Sequence, residues 1–204
     1  MPIYKKYQLG KFTYSNIEVR DLIKSWLMVS IAFAIVLGGL SSKFFSSFII
    51  SLIVVGTGFL LHELGHKIVA QRYKYFAEFR SFDEMLFLAV IMSFFGFVFA
   101  APGAVMIGGK SIRKDHNGII SLAGPLVNVI LVVLFVGLFV MSSGFLQTIA
   151  SYGVRINAWL ALFNLIPFWQ FDGKKIFEWN KVVWGVMTLL SLAFVYYSFT
   201  LGAQ

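Results

Sequence analysis

The chain has 204 residues, of which 59% are hydrophobic and only 13% are charged. A soluble domain is closer to half apolar and a quarter charged, so this composition, arranged in long apolar runs, excludes an ordinary soluble domain and indicates a polytopic membrane protein. The formal net charge is +8. The lysines and arginines flank the apolar runs, where they orient membrane helices, so we expect the lipid bilayer and no nucleic acid as a partner.

Six apolar runs follow one another along the chain, and most approach the roughly 20 residues that a helix needs to cross a membrane. They are residues 22–41, 47–71, 84–101, 118–141, 150–169 and 181–201. No small-residue cleavage site follows the first run, so we expect that run to stay as an anchor. We expect one membrane-embedded domain over residues 1–204, with a cytosolic N-terminal segment at 1–25 and no PDZ or other soluble domain.

The distribution of lysine and arginine argues against six crossings. If all six runs cross, the two sides of the membrane carry 10 and 7 of these residues, which is almost no bias. If the run 84–101 dips in and returns, the two sides carry 15 and 2, as the positive-inside rule prefers. We therefore predict five full spans with the N-terminus in the cytosol, and a re-entrant or hairpin insertion over residues 84–117. An ordinary third transmembrane helix is the alternative.

The sequence after the third run favours this insertion. Pro102 and the glycines of "GAVMIGG" supply places where a helix breaks. The same seven residues can form a short strand or hairpin, which is tolerated at membrane depth only where protein covers its backbone.

The segment "HELGH", residues 62–66, lies in an apolar run with helical periodicity. Because positions i and i+4 share one face of a helix, His62 and His66 can bind one tetrahedral metal ion. Glu63 lies beside them and can hold a metal-bound water and accept its proton. A charged group inside a membrane helix costs at least ~2.5–3.5 kcal/mol, so such residues are functional candidates. The alternative is a polar patch that reaches the cytosolic interface beside Lys67.

A catalytic zinc site usually has three protein ligands and a water, so a third ligand is needed. His116 is the remaining histidine, but it lies in "SIRKDHNG", which is charged and turn-like. Most acidic residues lie beside basic residues or near predicted interfaces.

Asp172 is the acidic residue that differs from the others. It follows the fifth apolar run, and Pro167 and Gly173 around it can break a helix and aim its side chain. By the predicted sidedness it lies at the cytosolic end of the bundle, as the two histidines do. From its setting alone, a helix cap or an ion-pair partner for Lys174 is an equally good explanation.

Two asparagines, Asn128 and Asn164, lie within apolar surroundings. Asparagines inside membranes more often hold helices together by hydrogen bonds than act in a site. Their setting alone therefore favours a structural role.

Three motifs in this order resemble the site-2 protease family of intramembrane zinc metalloproteases. They are "HELGH" at 62–66, "AGPLVN" at 123–128 and "NLIPFWQFDG" at 164–173. The resemblance covers the catalytic core, about residues 47–175. It implies an all-α polytopic membrane protein with a three-helix core, flanking helices and a small membrane-associated hairpin.

The resemblance also implies roles for individual residues. The family's zinc ligands match His62, His66 and Asp172, so one Zn²⁺ is expected, and the family's catalytic acid/base matches Glu63. The asparagine that contacts substrate or intermediate matches Asn164.

The middle motif and the residues before Asp172 match the family's pattern less closely. Asn128 matches the asparagine of the middle motif and is expected to bind substrate. The family usually has prolines and a leucine before the aspartate and a second glycine after it. Here residues 168–171 are Phe-Trp-Gln-Phe and Lys174 follows Gly173.

The predicted function is therefore that of a zinc metalloendopeptidase in the cell membrane. It would cut transmembrane segments of membrane-protein substrates with a metal-activated water, in regulated intramembrane proteolysis, at a site facing the cytosol. One alternative is a membrane zinc protease for soluble or prenylated substrates, which draws its third ligand from a later glutamate such as Glu178. Another is a catalytically idle metal-binding or scaffolding protein of the same fold. A divalent-cation transporter fits less well, since no second set of intramembrane ligands is present.

Overall fold

The computed structural model describes residues 4–98, 102–109 and 111–201, and within them it is mostly helical. The strands are β1 (Lys6–Leu9), β2 (Phe12–Ser15), β3 (Phe76–Ser81) and β4 (Gly103–Gly108). The helices are α1 (Asn16–Gly38), α2 (Phe44–Arg72), α3 (Asp83–Ser93), α4 (Lys114–Met141), α5 (Gly144–Asn164), α6 (Asp172–Trp179) and α7 (Lys181–Thr200).

Four of the described helices, α1, α2, α4 and α7, are long and apolar enough to cross a membrane. They correspond to four of the predicted spans. The fifth predicted span, residues 150–169, differs: helix α5 starts earlier and ends before Pro167. Polar residues such as Arg155 and Asn157 lower its hydropathy, and it packs against α2, α4 and α7. The count of five full spans stays a prediction.

Strands β3 and β4 lie side by side, and helix α3 between them packs against α1. Helix α3 has 11 residues and so extends about 16 Å, well short of the ~30 Å hydrocarbon layer. The backbone N–H of Phe82 donates to the carbonyl of Pro102 at 3.1 Å, and β3 pairs antiparallel with β4 over the full length of both strands. The described strands on either side of the run 84–101 therefore lie next to each other, while residues 99–101 lie outside the described part of the chain. The re-entrant or hairpin insertion over residues 84–117 stays a prediction.

The predicted strand in "GAVMIGG" is β4, and its partner β3 was not foreseen. A second hairpin, β1–β2, precedes α1 and turns at Gly10, whose φ of 58° suits glycine. Ser15 then caps α1 by accepting a hydrogen bond from the backbone N–H of Glu18 at 3.1 Å. Residues 6–15 of the N-terminal segment therefore form a hairpin, and α1 begins before the first predicted apolar run.

Helices α2, α4 and α5 pack together at the centre of the bundle, with α1 against α2 and α7 against α5. One core cluster joins Val54 and Val55 of α2 to Ile156 of α5. The close approach of α2 to α5 is possible because residue 58 of α2 is Gly58. A Cβ atom there would lie only 2.8 Å from the side-chain oxygen of Asn157. This packing fixes the three helices that surround the polar residues described next.

Candidate metal centre

His62 and His66 lie on consecutive turns of α2, and both side chains are buried. Their rings are nearly perpendicular, with an interplanar angle of 82°, and their Nε2 atoms lie 3.0 Å apart. The i, i+4 spacing thus produces a pair of nitrogens that converge on one point, as the sequence predicts.

Asp172, the first residue of α6, completes a group of three. Its Oδ2 atom lies 3.0 Å from Nε2 of His66 and 3.4 Å from Nε2 of His62. An irregular segment between α5 and α6 brings it there, and the indole N–H of Trp184 in α7 donates to the carbonyl of Leu165 in that segment at 2.7 Å. Gly173 packs so closely on Leu165 that a Cβ atom would overlap the Leu165 carbonyl.

The geometry of these three residues fits a tetrahedral zinc ion. With Zn–N and Zn–O bonds of about 2.0–2.2 Å, the ligand atoms of such a site lie about 3.3–3.5 Å apart. The three distances here are 3.0, 3.0 and 3.4 Å. Among the described residues they form the one group of three or more His, Cys, Asp or Glu side chains able to share an ion.

Oxygen atoms behind the two histidines fix the orientation of their rings. Nδ1 of His62 lies 2.6 Å from Oδ1 of Asn128, and Nδ1 of His66 lies 2.7 Å from the carbonyl oxygen of Ile120. Both oxygens are acceptors, so each histidine carries its proton on Nδ1 and keeps Nε2 free for a metal. Helix α4 therefore sets the tautomer of both candidate ligands.

Asn128 is fully buried and uses its whole amide group inside the bundle. Besides bonding His62, its Nδ2 atom donates to the carbonyl of Gly58 at 3.1 Å and to Oδ1 of Asn157 at 3.0 Å. In this structure the amide of Asn128 is therefore engaged within the bundle and holds the ring of His62. Its expected binding of substrate stays a prediction.

Asn157 was missed by sequence reasoning although it shares this network. It is fully buried, donates to the carbonyl of Gly153 at 2.9 Å and accepts from Asn128. The sequence does contain a signal for it, because Asn157 is a polar residue in the middle of a largely apolar helix.

Gly124, within the middle motif, lies directly against the two histidines. A Cβ atom there would lie 2.6 Å from Nε2 of His62 and would overlap Nε2 of His66. Because real side-chain contacts are longer, only glycine at this position leaves room between α4 and the Nε2 atoms of the two histidines.

Glu63 lies on α2 next to the two histidines but outside the group of three. It is half-buried, and the backbone of Val105 in β4 lies beside its carboxylate. It also lines a cleft between α1 and α2. A base in this position is within reach of both water and a chain that approaches β4.

Asn164, the last residue of α5, is half-buried and bonds within its own helix. Its Nδ2 atom donates to the carbonyl of Leu160 at 2.9 Å. The described hydrogen bonds do not connect it to His62, His66 or Asp172, so its catalytic and substrate-binding role stays a prediction.

The two rival ligands lie elsewhere. His116 stacks on Tyr73 with ring centroids 3.9 Å apart, and its Nδ1 atom lies 3.0 Å from the hydroxyl of Tyr75. Glu178 is exposed on α6. Neither belongs to the group formed by the two histidines of α2 and Asp172.

Comparisons with known proteins agree with this geometry. Residues 48–151 match the model of peptidase family M50, a range that contains "HELGH" and ends before Asp172. The chain is also 40% identical to "Putative zinc metalloprotease MJ0611" of Methanocaldococcus jannaschii over 191 residues, which cover 91% of this chain and 96% of the relative. No solved structure matches the chain.

Proposed function

Because the chain belongs to peptidase family M50, the site-2 proteases, and is thus a membrane metalloprotease, we propose that it cuts peptide bonds inside transmembrane segments of other membrane proteins. The observation that carries this proposal is the convergence of His62, His66 and Asp172 among membrane-spanning helices. A buried site in such surroundings suits a substrate that is itself in the membrane.

We propose that these three side chains hold one Zn²⁺, which when bound polarises the scissile carbonyl and lowers the pKa of a water molecule. The spacing of the three atoms supports this assignment, as do the acceptors behind both imidazoles. The chain's own contribution is to present two imidazole nitrogens and one carboxylate oxygen at fixed distances before any substrate arrives.

Glu63 is proposed as the proton carrier. Its carboxylate accepts a proton from the attacking water as the oxygen bonds to the carbonyl carbon, and returns that proton to the amide nitrogen as the C–N bond breaks. Its half-buried position beside β4 supports this role, because the same group must reach both the water and the leaving nitrogen. Asn164 is proposed to donate to the developing oxyanion once substrate is bound.

Strand β4 is proposed to hold the substrate in an extended form. A helical segment hides its carbonyls in intrahelical hydrogen bonds, so it must unwind before a bond can be cut. Among the described strands β4 has a partner, β3, on one edge. An extended substrate could add to the other edge, next to Glu63.

The decisive experiment compares the purified chain with its Glu63→Gln variant in liposomes that contain a single-span substrate. We expect the wild-type chain with zinc to cut within the span, and the variant to bind zinc equally but to be inactive. A soluble peptide of the same sequence as the scissile region serves as the second substrate. Equal cleavage of both substrates by the wild type would argue for a general membrane protease, and wild-type activity of the variant would refute the role of Glu63.

The orientation of the chain is proposed from its charges, with the N-terminus and the site toward the cytosol. The chain has no cysteines, so single cysteines can be introduced one at a time. We expect Ser42→Cys, between α1 and α2, to react with an impermeant thiol reagent from outside, and Lys114→Cys to react only after the membrane is opened. The reverse pattern would overturn the orientation.

A further inference from the structure

A cleft of about 360 Å³ opens beside the candidate metal centre. Its walls come from four parts of the chain: the β1–β2 hairpin with Leu9 and Phe12, helix α1 with Val19, helix α2 with Leu64, and the β3–β4 pair. Its volume falls in the range of small-ligand sites, and most of its wall is aliphatic or aromatic. We call it the α1–α2 cleft.

The α1–α2 cleft is continuous with the proposed catalytic machinery. Glu63 lines it on α2, and Val105 lines it on β4, the strand proposed to hold an extended substrate. An extended chain on β4 would present alternate side chains to opposite sides of the strand pair. A side chain near the scissile bond can therefore point into the cleft while its backbone stays beside Glu63.

The other charged groups on the wall neutralise one another. Nζ of Lys67 lies 2.5 Å from Oε2 of Glu18, and both side chains are buried. The second oxygen of Glu18 accepts a hydrogen bond from the backbone N–H of Phe79 at 3.0 Å. With these two groups satisfied, Glu63 is the remaining Asp, Glu, Lys, Arg or His side chain among the described residues that line the cleft, and burial of an uncharged apolar group against the rest of the wall is favoured.

We propose that the α1–α2 cleft receives a large apolar side chain of the substrate next to the scissile bond and so determines which bond is cut. This inference rests on the proposed proteolytic function and adds a substrate preference to it. Val19, Leu64 and Phe12 are the specificity-determining residues, and the β1–β2 hairpin is a wall of the substrate site. Substrates with phenylalanine or leucine at that position are cut faster than substrates with alanine.

The first test detects whether a substrate side chain occupies the α1–α2 cleft, and it does not require catalysis. A photoreactive phenylalanine analogue replaces Val19 in the Glu63→Gln chain, and the probe is a synthetic single-span peptide with one phenylalanine beside the expected cleavage position. The matched control carries the analogue at Leu27 on the same helix, because the two side chains are 40% and 39% exposed and Leu27 lies outside the cleft. We expect adducts with the peptide at position 19 and few at 27.

Three results of this test are distinguishable. Peptide adducts at position 19 that weaken when the phenylalanine is changed to alanine support the cleft as a side-chain site. Equal adducts at both positions, or adducts with lipid only, overturn it. If adducts form at position 19 but the wild-type chain cuts nothing, the cleft stands and the proposed proteolysis fails.

The second test fills the cleft. Val19→Trp places a large side chain at its wall without touching the metal ligands, and Leu27→Trp is the matched control. We expect Val19→Trp to lower the preference for phenylalanine over alanine substrates by at least about tenfold, with zinc content unchanged, and Leu27→Trp to keep the wild-type ratio. An unchanged ratio in Val19→Trp, or an equal loss on both substrates, would overturn the inference.

Discussion

The two halves of α2 are held in place by different means. In the first half, Ile50, Val54 and Val55 pack against apolar side chains of α1 and α5. In the second half, polar side chains make specific bonds: Lys67 pairs with Glu18, and Gln71 bonds the backbone of Thr13 in β2 and of Ala77 in β3. Apolar packing tolerates small shifts, whereas hydrogen bonds fix distances. The half of α2 that carries the two candidate ligand histidines is the half whose own side chains bond to α1, β2 and β3.

The largest effect is expected when the contact between the second half of α2 and α6 is broken. Asp172→Ala removes the oxygen that lies 3.0 Å from Nε2 of His66, so we expect zinc to be lost on dialysis and cleavage to fall to background. Metal analysis of the purified protein measures this. Glu178→Ala on the same helix is the control and should retain zinc; zinc loss from that variant instead would favour the later glutamate as ligand.

Breaking the ion pair between α1 and α2 is expected to have the next largest effect. Lys67→Met leaves the fully buried Glu18 without its cation, which costs about 3–5 kcal/mol of unfolding free energy. Denaturant unfolding in detergent measures the loss, and adding Glu18→Gln should restore part of it. Lys24→Met, which breaks an exposed pair with Asp83, should cost less than about 1 kcal/mol. Similar costs for the two variants would contradict the ranking.

Removing the acceptor behind His62 tests the directional contacts within the metal centre. We expect Asn128→Ala to weaken zinc binding by about 10–100-fold, because His62 loses the oxygen that holds its ring. Competition with a zinc chelator gives the affinity. Asn164→Ala is the contrasting variant. Among the described residues the Asn164 side chain bonds within its own helix, so zinc affinity should hold while cleavage slows. Weaker zinc binding in both variants would contradict the expected difference between Asn128 and Asn164.

The apolar half of α2 should respond only through stability. Ile50→Val removes one buried methylene group, which costs about 0.5–1.5 kcal/mol, while zinc affinity stays at the wild-type value. Unfolding and zinc titration on the same sample separate the two quantities. A change in zinc affinity would show that the two halves of α2 are more tightly coupled than their contacts suggest.

The smallest effect concerns pH and the β3 strand. Burial raises the pKa of Glu78, but hydrogen bonds from Ser15 and Arg80 more than offset this, so its pKa lies below the ordinary value. A depressed pKa in the folded state means that the stabilisation is present above the unfolded pKa of about 4.3 and is lost as pH falls below it. We expect the Glu78→Gln variant to have a lower free energy of unfolding than the wild type near neutral pH. As the pH falls into the acid range, the variant should lose less of this free energy than the wild type does. Parallel curves of unfolding free energy against pH for the wild type and the variant would contradict this.

Much of the site could be predicted because its signals are local. The i, i+4 spacing of His62 and His66 needs only a helix, and Asp172 stands between a proline and a glycine at a helix break. The charge count predicts that the run 84–101 returns from the totals on each side and not from exact boundaries, and this stays a prediction.

The parts that were missed depend on contacts between distant segments. Nothing near Glu18 indicates that it bonds Lys67 and the backbone of Phe79, since 49 and 61 residues separate the partners. Strand β3 contains Glu78 and Arg80, which hide its strand pattern, and it is recognisable only beside β4. The hydrogen bonds of Asn128 could not be read from its motif, because the direction of its side chain is set by the packing of α4 against α2 and α5.

The hydrogen bond from Trp184 to the carbonyl of Leu165 ties the candidate metal centre to α7. His62 and His66 are synthesised more than a hundred residues before Asp172, and α6, which begins at Asp172, packs against both α4 and α7. During biosynthesis all three candidate ligands are therefore present before Trp184 can form its contact. A chain halted before α7 would carry every candidate ligand yet lack the hydrogen bond between Trp184 and Leu165.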